Sequence, residues 1–184
     1  MNLTVHELGR SHQAAITEHF QALGGEDRRL RFGATLSDDA IAQHVANIRY
    51  GSDSLFGVYS DDLRLLAVAH LASRVDPAEL GLSVLPAARG QGVGSLLFER
   101  AVLRARSLGI RELFMHCLAQ NDAILHIARK AGMQVTRDGI EAEARLRLPA
   151  TDLSVLAAEL SEARRAWEDW VLTAAAQPFT APRR

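Results

Sequence analysis

Cysteine is nearly missing from this chain: Cys117 is the only one in 184 residues. An intrachain disulfide and a multi-cysteine metal site are therefore excluded, and no metal is expected. A surplus of one charge sign is missing too, because 21 basic residues meet 22 acidic ones for a formal net charge of −1. Without a basic field no nucleic-acid partner is expected. Long hydrophobic runs are also absent. Stretches such as Leu65-Leu66-Ala67-Val68-Ala69 fall far short of a bilayer span, so no membrane partner is expected. Residues 1–7 lack the cationic and apolar regions of a signal peptide, and the expectation is a cytoplasmic protein. What remains is ordinarily globular, at 48% hydrophobic and 23% charged residues, without repeats or low-complexity tracts.

Periodicity sets out the elements. Leu3 and Val5 alternate with Thr4 and His6 as a first strand. Residues 11–23 are apolar at Ala14, Ala15, Ile16, His19, Phe20 and Leu23, near helical spacing. Gly24-Gly25-Glu26-Asp27-Arg28-Arg29 breaks that helix, and the segment to Thr35 reads as an ordered loop. Ser37 starts a second helix, with Asp38 and Asp39 at its positive end and Ile41, Val45 and Ile48 as its stripe. Residues 55–59 and 63–73 form an antiparallel hairpin, ended by Asp76-Pro77. Residues 78–85 are the next strand, and 93–108 a helix stopped by Gly109. A strand over 112–118, a helix over 122–131 closed by Gly132, and a strand over 133–136 follow. Asp138-Gly139 then turns into an alternating strand over 140–148. In the tail, Thr151 is the expected N-cap. Leu153, Leu156, Leu160, Ala163, Trp167, Trp170 and Ala174 make an apolar stripe on a helix that Pro178 follows. That stripe packs either on the chain's own domain or across a homodimer contact.

Between the strand at 78–85 and the helix at 93–108 lies the chemistry-bearing segment, Val84-Leu85-Pro86-Ala87-Ala88-Arg89-Gly90-Gln91-Gly92-Val93-Gly94-Ser95. Its alternate glycines leave main-chain N–H groups uncovered where a helix begins, and the helix dipole adds roughly half a positive charge. Such a turn suits a diphosphate. The third glycine comes one residue too soon for a dinucleotide fingerprint, and no lysine follows as a Walker loop requires.

The segment resembles the acyl-CoA loop of the GNAT superfamily of N-acyltransferases, Arg/Gln-x-x-Gly-x-Gly/Ala. Arg89, Gly92 and Gly94 fill that pattern, and Gly90 and Val93 match its commonest form. The order of strands and helices also agrees over residues 1–148. Glu-Asp-Arg-Arg-Leu-Arg-Phe-Gly and Phe114-Met115-His116-Cys117-Leu118 are similar to bacterial members without an assigned acceptor. The resemblance implies an α/β fold: a mixed, largely antiparallel twisted sheet of six to seven strands flanked by helices. Residues 1–148 would be that domain, and 149–184 a C-terminal amphipathic helix and tail.

It further implies acetyl-CoA as co-substrate. Its pyrophosphate would lie against the amides of Gly90, Gln91, Gly92, Val93, Gly94 and Ser95, beside Arg89. The main chain of Leu82 and Val84 would pair with the pantetheine, and Asn121 would lie next to it; Asn121 is also a good N-cap on physical grounds. Relatives often carry a tyrosine acid where this chain has Ala128. Glu79, at the start of the strand leading to the loop, is the candidate base, against a plain solvated carboxylate. His70 and His116, both in apolar strands, are lesser base candidates that read more readily as hydrogen-bonded core residues, and Cys117 reads as buried packing. Arg28, Arg29 and Arg31 border the acceptor pocket, either for an acidic acceptor or as surface charge. The implied reaction moves an acetyl group to a primary amine of a small molecule or peptide by direct attack in a ternary complex. The alternative is a non-catalytic acyl-CoA-binding sensor or subunit. The acceptor loops carry no readable code.

Overall fold

The structure, a computed structural model, describes residues 3–73 and 77–176. Seven strands form one sheet: β1 (Val5–Leu8), β2 (Ser54–Tyr59), β3 (Leu65–Ala72), β4 (Ala78–Val84), β5 (Glu112–Leu118), β6 (Gln134–Asp138) and β7 (Glu141–Arg147). Their spatial order is β1-β2-β3-β4-β5-β7-β6. Every neighbouring pair is antiparallel except β4 and β5. Six α-helices accompany them: α1 (Gln13–Gln21), α2 (Gly25–Phe32), α3 (Asp38–Ala46), α4 (Val93–Ser107), α5 (Asp122–Lys130) and α6 (Leu153–Ala176). Among the described residues no helix is long and apolar enough to cross a membrane.

Period-two alternation divides the sheet into two faces. Phe56, Ala67, Ala69, Leu71, Leu80 and Leu82 point toward α4, where Val93, Leu97, Ala101 and Ala105 complete one core. Leu55 and Val68 point the other way and meet Ile16 and Phe20 of α1 and Ile41 and Val45 of α3. Each buried Val, Leu, Ile or Phe among them contributes about 1.5–3 kcal/mol.

The parallel pair gives the fold its opening. β4 and β5 pair only at Ala78 with Leu113 and Glu79 with Phe114, and beyond that point they part. The main-chain groups of the rest of β4 then have no strand beside them on that side. The Leu85 amide donates to the Leu66 carbonyl at 2.9 Å. In antiparallel pairing hydrogen-bonded and non-bonded positions alternate. Leu82 and Val84, opposite Ala69 and Ala67, therefore turn their N–H and C=O groups away from β3 and into the splay.

Two expectations are corrected. The segment after Gly24-Gly25 is no loop: it forms α2, from the extended Gly24 to a left-handed Gly33 at φ 77°. Glu26 and Asp27 occupy its first turn and Arg29 and Arg31 its last, which suits the helix dipole at both ends. Asp152, not Thr151, caps α6, accepting from the Val155 amide at 3.0 Å; the Thr151 hydroxyl donates instead to the Arg106 carbonyl. Of the two places expected for the apolar stripe of α6, the chain's own domain does not receive it: the stripe faces outward. Leu160 is 73% exposed and Trp167 64%, whereas Val155 is 2% exposed. The side chain of Trp170, and Asp76 and Pro178, lie outside what the structure describes.

What seats α6 is polar. Glu159 takes a bidentate hydrogen bond from Arg100 of α4, at 2.9 and 3.0 Å, and a third from Arg104 at 3.0 Å. Arg100 is 7% exposed and its Cζ lies 4.3 Å from the Phe56 ring centroid. Removing one partner of a buried ion pair strands the other, at about 3–5 kcal/mol for a fully enclosed pair. Glu159→Ala should therefore cost about 2–3 kcal/mol in urea denaturation, since Glu159 retains some solvent. Leu160→Ser should change stability by less than about 0.5 kcal/mol. The reverse ranking would return the leucine stripe to the packed face.

Candidate active site

A short 3₁₀ turn, Pro86–Ala88, carries the chain from β4 to the glycine segment. Gly90 and Gly92 hold φ values of 74° and 80°, a region that L side chains enter only with strain. Gly92 caps α4. The α4 ladder begins with the Leu96 amide, which donates to the Gly92 carbonyl at 3.0 Å. The amides of Val93, Gly94 and Ser95 are thus left without intrahelical partners. Gly94 serves a separate purpose: a Cβ there would lie 2.8 Å from the Ile127 Cδ1, so its absence admits α5.

A cavity of about 510 Å³ opens between these amides, the splayed half of β4, α2 and α5. It falls within the ~300–1,000 Å³ usual for small-molecule sites. Leu82, Val84, Arg89, Gly90, Gly92, Val93, Gly94, Ser95 and Asn121, all expected from the sequence, line it together. Gln91 does not; its side chain points out and donates to the Ala87 carbonyl at 3.1 Å. Glu79 does not line it either. It lies exposed on β4, on the sheet face of Gly81 and Ser83.

Two of the lining side chains are already engaged. Arg89 donates from Nε to the Val84 carbonyl at 3.1 Å and pairs with Asp27 of α2 at 2.8 Å. It thereby ties the glycine segment to both walls of the cavity. The Asn121 Oδ1 accepts from the Ile124 amide at 3.2 Å, and its Nδ2 donates to the Leu30 carbonyl at 3.4 Å. Asn121 is the N-cap of α5 and a cavity wall at once.

Asp27, Ser83, His126 and Lys130 also line the cavity and were not assigned to it from the sequence; Arg31, expected at the acceptor pocket, lines it too. For the α5 residues a signal existed. Leu125 and Ala128 are buried, so Ala123, His126, Ile127 and Lys130 share another side of the helix. Ala128 itself is sealed in the core beneath α4 and faces no ligand space. Tyr50 and Tyr59 pack against the core under α1 and α3 instead, Tyr50 donating to the Val45 carbonyl at 3.5 Å. Neither lines the cavity.

On the sheet face covered by α1–α3, polar groups gather above β3 and β4. His19 Nδ1–H donates to the Leu65 carbonyl at 3.0 Å, which leaves Nε2 to accept from the Ser83 hydroxyl at 2.8 Å. Burial pushes the His19 pKa down to about 4, against the opposing carbonyl hydrogen bond. His44 is lowered to about 4 for the same reason, helped by Arg31. His70 Nε2 lies 3.0 Å from Asp53 Oδ2. Burial again lowers its pKa, while Asp53 opposes the shift.

His70 is thus a hydrogen-bonded interior residue, but His116 is not. Its side chain is half exposed, 3.4 Å from Glu141. The alternation that buries Leu113, Met115 and Cys117 sends His116 outward. Cys117 packs with Leu125 and Ala142, and burial pushes its thiol pKa up. It lines no part of the cavity.

A parallel pair splayed at a topological break, with a glycine-capped helix amide cluster at its mouth, defines a class of ligand-binding α/β domain. The chain belongs to the acetyltransferase (GNAT) family, which matches residues 14–133. Among curated proteins none matches the sequence. Solved structures share the fold. The GNAT domain of S. lividans PAT has a TM-score of 0.67 at 19% identity, covering 78% of this chain and 89% of that one. A Sinorhizobium meliloti phosphinothricin acetyltransferase in complex with AcCoA gives 0.65 at 18%, with coverages of 80% and 89%. Salmonella typhimurium yncA with acetyl-CoA gives 0.63 at 18%, with 83% and 97%.

Proposed function

We propose that the protein transfers an acetyl group from acetyl-CoA to a primary amine, by direct attack while both substrates are bound. One observation carries this reading: unpartnered amides at the start of α4 share a single cavity with the outward-turned main chain of Leu82 and Val84. The amides and helix dipole suit a pyrophosphate. The main chain of β4 offers a pantetheine amide the pairing that β5 gives up. Lys130 and His126 add donors at the rim. Two structural neighbours were solved with the same co-substrate.

Acetyl-CoA would supply an activated thioester carbon. The chain's own residues must hold the amine and relieve it of a proton. A lysine-like ammonium has a pKa near about 10.4, so near neutral pH a base is needed, directly or through water. Glu79 fills that role on the face of β4 opposite α4. The His70–Asp53 pair is the rival base: with Nε2–H donated to the carboxylate, Nδ1 keeps its lone pair. The new N–C bond forms as C–S breaks, the amine's protons leave through the base to solvent, and the sulfur departs as thiolate. A thiol pKa of about 8.5 lets that happen without a tyrosine, which suits a buried Ala128.

The test is thiol release with a panel of amines alongside calorimetry with acetyl-CoA. Binding with amine-dependent release is expected. Binding without release for any amine would favour a sensor, and no binding would end the reading. Glu79→Gln should lower kcat/KM by about 10²–10⁴-fold with acetyl-CoA affinity unchanged. Parental activity in Glu79→Gln with loss in His70→Asn would move the base to His70.

A further inference from the structure

Arginines 28, 29 and 31 differ in what they do. Arg28 donates to the carbonyls of Leu23, Gln21 and Leu36 and pairs with Asp38 at 2.7 Å. Arg29 pairs with Glu26 at 2.9 Å. Both are structural. Arg31, among the described residues, has no hydrogen bond or ion pair. Its Nε is enclosed without a partner. Its Cζ lies 5.1 Å from the Phe32 ring centroid and 5.6 Å from that of Phe20, which hold the guanidinium plane but satisfy none of its N–H donors.

The guanidinium lies across the bare Cα of Gly81: a Cβ there would come within 2.5 Å of Nη2. It lines the cavity at the level of Leu82 and Ser83. Burial lowers its pKa to about 10, opposed by the charge of Glu79. Glu79 is therefore close enough to be felt, yet no ion pair joins the two. Nearby groups do not supply the missing anion, because Asp53 is bonded to His70. An enclosed Nε left without a partner is costly, and an oxyanion entering the cavity would meet a planar, bidentate fork of donors.

We propose, building on the transferase reading above, that the acceptor is an amine that also carries a carboxylate or other oxyanion, the oxyanion resting on Arg31 and the amine directed toward Glu79. Arg31 is a specificity residue in this scheme, with no part in bond making.

The experiment is calorimetry on the full chain saturated with CoA, using matched probes: phenylalanine against phenethylamine, leucine against isopentylamine, and 2-aminoethylphosphonate against ethylamine. At least one oxyanion-bearing probe should bind on the order of 10- to 100-fold tighter than its partner. Arg31→Gln should erase that preference. Gly81→Ala, whose new methyl displaces the guanidinium without removing its charge, should erase it as well, and decides the matter should Arg31→Gln not fold. Equal binding within every pair, or a preference that survives in the variants, overturns the proposal. Failure of acetyl-CoA itself to bind would instead strike the transferase reading.

Discussion

Gly92→Val should weaken acetyl-CoA binding by about 100-fold while the protein remains folded. Two effects of different size act at this position. The backbone stands at φ 80°, where a β-branched residue costs about 1–2 kcal/mol. No atom lies within 4 Å of where its Cβ would be, so no clash is added. For a chain of this length the fold should lose roughly 2–8 °C of Tm. The chain escapes that strain by turning the 92–93 peptide. The three amides that follow are then no longer convergent. A hydrogen bond to a charged group contributes about 1.5–3 kcal/mol, so misdirecting one or two of them gives the stated loss. Calorimetry and a melting curve on the same sample separate the effects. Binding within about threefold of the parent, with the helix intact, would remove the diphosphate from this turn.

Much of the fold was legible because alternation and helical spacing are local. Leu113, Met115 and Cys117 alternate along β5, and Ile41 and Val45 stripe α3, as their burial confirms. The glycine segment was legible for a related reason: backbone conformation there admits little else, and its residues line the cavity save Gln91. Errors arose where a local signal had two meanings. Gly24-Gly25 reads as a breaker, yet Gly24 is the extended N-cap of a short, charged helix whose end is fixed by Gly33. Leucine spacing in α6 reads as a face packed on the domain or on a second copy, and Glu159 reaching Arg100 and Arg104 turns that face away from the domain. The isolation of Arg31 could not be read at all. Its three-arginine neighbourhood looks uniform in sequence, and only tertiary contacts show that Arg28 and Arg29 are spoken for. The base is equally a matter of sheet parity, since Glu79 and His70 share a face that only the β3–β4 register reveals.

The histidines beneath α1 and α3 set the second large effect, a steep loss of stability in mild acid. His19 falls from an ordinary 6.5 to about 4 because it is buried, with Arg31 and Arg64 adding to the shift and the Leu65 carbonyl opposing it. His44 falls to about 4 through burial and the nearby charges of Arg31 and His70. The native state keeps both neutral, whereas the unfolded chain takes up protons from about pH 6.5 downward. The unfolded state therefore binds more protons, and stability drops as pH falls from about 6.5 to 4. It is fully present above that window. Each group contributes a slope of up to about 1.36 kcal/mol per pH unit, so His19 alone is worth about 3 kcal/mol across it. His44 has more solvent and contributes less. His70, lowered by burial against the pull of Asp53, contributes in the same direction. Urea denaturation from pH 7.5 to 4 should show this decline, with net uptake of more than one proton on unfolding near pH 5. His19→Gln keeps a polar group against Ser83 and Leu65 but cannot titrate. It should be less stable at pH 7.5 and flatter in acid, losing about one proton of that uptake. Identical slopes for the two proteins would show that carboxylates at the surface, and not His19 under α1, govern the acid limb.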